Sequence, residues 1–139
     1  MNAKKFLMSG IAGSVVYFLL GYLAYGILFK DAMMSTVAGV DRNMEDMVWW
    51  SLIAGNLAFG FLLAYIIGKT GNTSIAGGAI TGAVVAFLMS CGMDLIMHAT
   101  TNLVSKNMMI YDVLISVLMF AITGAVIAIV WGSNKVETA

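Results

Sequence analysis

The chain has 139 residues, 61% of them hydrophobic and 10% charged, and seven Lys and Arg balance seven Asp and Glu. Soluble domains are roughly 45–50% apolar and about 25% charged, and a soluble fold of this length leaves too much surface to hide so much apolar material. With no basic excess to grip phosphate, a nucleic-acid binder is excluded together with a water-soluble enzyme and a disordered chain; an integral membrane protein in contact with the lipid bilayer remains.

Four apolar runs reach the length of about 20 residues that a hydrocarbon core requires. They cover about 6–29, 47–68, 76–97 and 108–131. They are continuous rather than alternating, so a barrel is excluded and helices are expected. The reading is an all-α membrane protein: residues 1–139 form one domain, a four-transmembrane-helix bundle.

Lys4 and Lys5 precede the first run, which is too long for a signal-peptide core and reads as an uncleaved first span. The loop after it carries Asp31, Asp41, Glu45 and Asp46. There Asn43 and Asp46 have the spacing of a capping box opening the second helix. Trp49 and Trp50 mark the outer interface, and Tyr65 with Trp131 the inner one. Gly71-Asn72 signals a turn, after which Thr73 or Ser74 can cap the third helix; Ser105 or Asn107 can cap the fourth. Lys4, Lys5, Lys69 and Lys135 lie on one side, against Lys30, Arg42 and Lys106 on the other. This bias places both termini in the cytoplasm.

Two stretches match at an offset of 69: Gly13 to Gly21 aligns with Gly82 to Ser90. At an offset of 64, Gly60, Ala64 and Gly68 fall on Gly124, Ala128 and Gly132. The chain reads as two tandem helical hairpins, a parallel repeat about an axis along the membrane normal. Each helix also carries a ridge of small or polar residues at i, i+4 spacing: Ser9, Gly13, Tyr17, Gly21 and Tyr25 in the first, and Asn56, Gly60, Ala64 and Gly68 in the second. The third has Gly78, Gly82, Ala86, Ser90, Asp94 and His98, and the fourth Asp112, Ser116, Phe120, Gly124, Ala128 and Gly132. Such ridges are where membrane helices touch.

Ionisable residues within a span are functional candidates by default. Asp94, His98 and Asp112 qualify. Asp94 and Asp112 flank the loop between the third and fourth helices, so they lie at similar depth, and Tyr25 holds the repeat position matching Asp94. Tyr25, Asp94, His98 and Asp112, with Asn102 in the loop above, are expected to converge on a polar pocket facing outward. Two carboxylates sharing a poorly solvated site cannot both ionise cheaply; a protonated His98 or a bound cation would relieve the repulsion. Tyr17 and Asn56 lie near mid-depth on adjacent helices and are expected to hydrogen-bond as a mid-membrane polar pair. Cys91 stands alone, so no disulfide or thiolate cluster forms within one chain. An Asp-x-x-x-His pair falls short of the three or four ligands of a zinc site, and no catalytic or cofactor motif is present; neither a metal nor a cofactor is expected.

The layout resembles a family of small bacterial four-span membrane proteins of unknown function. The features that carry the resemblance are Gly21, Tyr25 and Phe29 closing the first helix, Thr100-Thr101-Asn102 after the third, Asp112 opening the fourth, and Gly124-Ala125 within it. The resemblance implies a bacterial inner-membrane protein without a known activity, and it supports Asn102 and Asp112 as residues to test. Two functions are compatible with this reading. One is binding or moving a small ligand, proton or cation through the outward-facing pocket. The other is a non-catalytic scaffold whose small-residue faces bind partner helices, from a membrane protein partner or from a second copy in a homo-oligomer.

Overall fold

A computed structural model describes residues 2–133; Lys135, one of the charges used to orient the chain, lies outside them. Helix α1 (Ala3–Gly21) runs on without a break into a π-helical stretch, Tyr22–Leu28. A short helix α2 (Lys30–Met33) and a single 3-10 turn (Met44–Asp46) follow. Three long helices follow: α3 (Trp49–Thr70), α4 (Ile75–Thr100) and α5 (Lys106–Ser133). Among the described residues four helices, counting α1 with its π extension, are long and apolar enough to cross a membrane. The protein is an all-α four-helix bundle of the multi-pass membrane type.

Local chemistry explains most helix ends. Asn2 accepts from the Lys5 amide at the start of α1. Ser74 Oγ accepts from the Gly77 amide, and Ser105 Oγ from that of Met108, so of the alternatives expected for these two caps the serines serve. Gly71 ends α3 in the left-handed conformation, at φ 71°, which costs a glycine little. The start of α3 departs from expectation. Asn43 forms no side-chain cap, and Glu45 and Asp46 fill the isolated 3-10 turn instead. The backbone then extends at Met47, and α3 begins at Trp49, next to the apolar Val48.

Packing follows the small-residue ridges. On α4, Gly78 and Gly82 press directly on the α5 backbone: a Cβ on Gly78 or Gly124 would fall on the other's carbonyl, and one on Gly82 on that of Phe120. On α3, Gly60 is as tight against Ser14 and Gly10 of α1. Gly13 receives Ile127 of α5. The glycine ridges expected from spacing are therefore used inside the chain. A core of Leu63, Ala64, Ile67, Ala86, Phe120 and Ile127 lies between them. Residues such as Leu19, Leu88, Leu114 and Leu118 are exposed, as lipid-facing positions should be.

Both expected hairpins form, α1 with α3 and α4 with α5, and they join mainly through α1 and α5. A two-fold axis along the membrane normal would pack α4 on α3 as closely as α1 on α5. In fact α3 and α4 meet only slightly despite the short turn between them, so the repeat does not extend to the packing. The expected interface role of Trp131 also needs correction. Its ring lies on Gly68 and is only 8% exposed, so it plugs the α3–α5 seam, whereas Trp50 is 75% exposed.

Candidate functional site

Where α1 ends, the π stretch widens the helix, as shown by the i to i−5 hydrogen bond from the Phe29 amide to the Ala24 carbonyl at 2.8 Å. π-helical segments recur at functional sites. Tyr25 lies within this stretch and its hydroxyl donates to Asp112 Oδ1 at 2.7 Å. Ser116, one turn along α5 from Asp112, is 3.2 Å from the same hydroxyl. Its own Oγ lies 3.5 Å from Asp112 Oδ2, at the limit of a hydrogen bond. Asp112 is thus oriented from two elements, α1 and α5.

Asp94 enters from α4 and lines the same cavity as Asp112. Its Oδ2 is buried, and no donor reaches it among the described residues. The two carboxyls share a cavity of about 210 Å³ with Tyr25 and Ser116. Its other walls are Tyr17 of α1, Phe59 of α3, Phe120 of α5, and Ala86, Met89, Ser90 and Met93 of α4. All four long helices contribute, because α1 and α4 stand apart and α5 bridges them. Tyr17, Phe59 and Phe120 form an aromatic triad at the floor, with ring centroids 4.9 to 5.7 Å apart.

Of the residues expected in the polar pocket, the structure brings together Tyr25, Asp94 and Asp112. His98 does not join them. Its Nδ1 donates to the Val104 carbonyl at 2.8 Å, so the ring pins the end of α4 to the following loop instead of facing the carboxylates. Asn102 is exposed in that loop, past the end of α4, and takes no part. The expected Tyr17–Asn56 hydrogen bond is not formed either. The Asn56 amide donates to the Leu52 carbonyl in its own helix at 2.7 Å, and Tyr17 packs edge-on to Phe120. Ser116, Ser90 and Tyr17 were not assigned to the pocket from sequence. The signal for the two serines was present, since each lies four residues from an acidic residue on the same helix face.

No set of three or more His, Cys, Asp or Glu side chains among the described residues could hold a metal ion. The chemistry left to the site is that of a carboxyl pair: to share a proton, or to accept a small cation through oxygen atoms.

No curated protein and no solved structure matches the chain. One family profile does match, over residues 8–128, which reaches into all four long helices and takes in every residue of the cavity. The chain therefore belongs to the family described as Protein of unknown function (DUF1761).

Proposed function

We propose that this protein binds and hands on a proton or a small monovalent cation at the Asp94–Asp112 pair, as a multi-pass protein of a bacterial inner membrane with both termini in the cytoplasm and the pocket in the outer half. One observation carries the reading: two carboxyl groups line one cavity, and Asp94 Oδ2 is buried there with no donor among the described residues. An ionised pair in lipid is costly without a counter-charge, and a shared proton or a bound cation supplies it. Tyr25 and Ser116 hold Asp112 in place, which leaves Asp94 as the group that receives the ion. The scaffold alternative has less support, because the glycine ridges it would use are spent between helices of the same chain.

The test is flux into proteoliposomes carrying an internal pH or potassium dye. The parent protein is expected to raise ion flux above that of empty vesicles. Asp94→Asn and Asp112→Asn should each remove most of that flux, and His98→Ala should leave it near the parent level. Flux equal to that of empty vesicles, or unchanged in both Asp variants, sinks the proposal.

A further inference from the structure

A second and larger cavity, of about 830 Å³, lies between the π stretch of α1 and the first turns of α3. Its size is within the roughly 300–1,000 Å³ typical of ligand sites. Tyr17 and Phe59 close its floor, and Arg42 of the first loop stands at its mouth beside Trp49 and Trp50. We propose that this groove binds one zwitterionic phospholipid, with its phosphate at Arg42 and one acyl chain running down to Phe59. The inference stands apart from the ion-binding reading and does not need it.

Length, charge and shape support that occupant. From Gly26 to Tyr17 the α1 wall covers roughly 14 Å at the helical rise, close to half of a hydrocarbon core of about 30 Å. The groove is therefore as deep as one leaflet. Among the described residues the Arg42 guanidinium makes one long hydrogen bond, 3.4 Å to the Asp46 carbonyl, which leaves donors for a phosphate. Along the same loop, Asp31, Asp41, Glu45 and Asp46 outnumber Lys30 and Arg42. Such a loop repels a net anionic headgroup and favours one whose phosphate is accompanied by an ammonium. Trp49 and Trp50 suit headgroup depth. Gly55 lines the groove, and a Cβ there would meet nothing within 4 Å, so its absent side chain leaves room for an acyl chain.

The experiment uses the purified protein in mild detergent and the fluorescence of Trp49 and Trp50. The probe is phosphatidylethanolamine with brominated acyl chains. Saturable quenching is expected, reversed by the unbrominated lipid. Arg42→Gln should weaken the apparent affinity about tenfold, as loss of a charge-assisted contact does. Gly55→Phe should abolish the saturable component at an unchanged melting temperature, with Ser51→Phe as a second block should the first variant be destabilised. Brominated phosphatidylglycerol should bind more weakly than phosphatidylethanolamine. Quenching that is unaffected by both groove-filling variants marks contact with surrounding lipid only and overturns the site. An unchanged affinity in Arg42→Gln, or tighter binding of the anionic lipid, overturns the headgroup assignment and the proposal with it.

Discussion

Tyr25 and Thr123 show how differently a buried hydroxyl can behave in this bundle. The Tyr25 hydroxyl bridges α1 to Asp112 at 2.7 Å, whereas Thr123 Oγ1 is buried on α5 with no hydrogen-bond partner among the described residues. A side-chain hydrogen bond between membrane helices contributes about 0.6 kcal/mol. Tyr25→Phe should therefore lower unfolding free energy in detergent by about that amount, read from a denaturant titration. Thr123→Val keeps the shape and removes an unpaired hydroxyl, and it should be neutral or stabilising by about 1 kcal/mol in the same assay. At Asp94, replacement by Asn supplies an N–H that can donate to Asp112 and removes one of two like charges. A higher melting temperature together with lost ion flux is expected for Asp94→Asn, the exchange of function for stability that strained sites commonly show. A lower melting temperature would indicate that Asp94 serves the fold.

Between elements, backbone contact decides what is tolerated. α4 and α5 touch through Gly78, Gly82 and Gly124, where a Cβ would strike a carbonyl rather than a side chain that can rotate away. Gly124→Leu should therefore cost about 3 kcal/mol or more, at or above the upper end for overpacking, and thermal unfolding in detergent measures it. Gly92 of α4 faces open space, so Gly92→Leu should change little. The contrast separates steric closeness from glycine's backbone flexibility, since both positions are mid-helix. The π stretch Tyr22–Leu28 is a different kind of feature. It contains no proline, and nothing in its composition separates it from the α-helix before it. Within it, Ala24 packs in a buried cluster with Ile115 and Met119 of α5, and Tyr25 bonds Asp112 of the same helix.

For the whole molecule, four crossings place the loop at Arg42 and the loop at Asn102 on the same side, opposite the turn at Asn72. With the cytoplasmic termini proposed above, and Cys91 first replaced by Ala, Arg42→Cys should react with an impermeant maleimide added to intact cells. Asn72→Cys should react only after the membrane is opened. The reverse pattern inverts the proposed orientation. The two loops on the Arg42 side are also tied to each other, Ser35 Oγ to the Leu103 carbonyl at 3.5 Å. That contact joins the two hairpins at the end of the bundle where both cavities lie.

The number and type of spans, the positions of the α4 and α5 caps to within a residue or two, and the glycine ridges were legible in the sequence because each depends on local chemistry. Chain length against bilayer thickness, hydrogen bonding within a turn, and i, i+4 spacing need no knowledge of distant residues. The convergence of Asp94 with Asp112 was legible for a related reason, as a short loop between antiparallel helices places residues on either side of it at one depth. Ring orientation and neighbour choice were not. His98 shares a helix face with Asp94, yet the Val104 carbonyl claims it. Asn56 finds its acceptor one turn back in its own helix, at the Leu52 carbonyl, so its amide is satisfied without Tyr17. The sequence by itself determined a four-helix membrane protein with acidic groups at one end. Tertiary structure alone decided that α1 and α5 would meet while α3 and α4 stayed largely apart. Those contacts depend on how whole helix surfaces fit at backbone distance, and no local pattern encodes that fit.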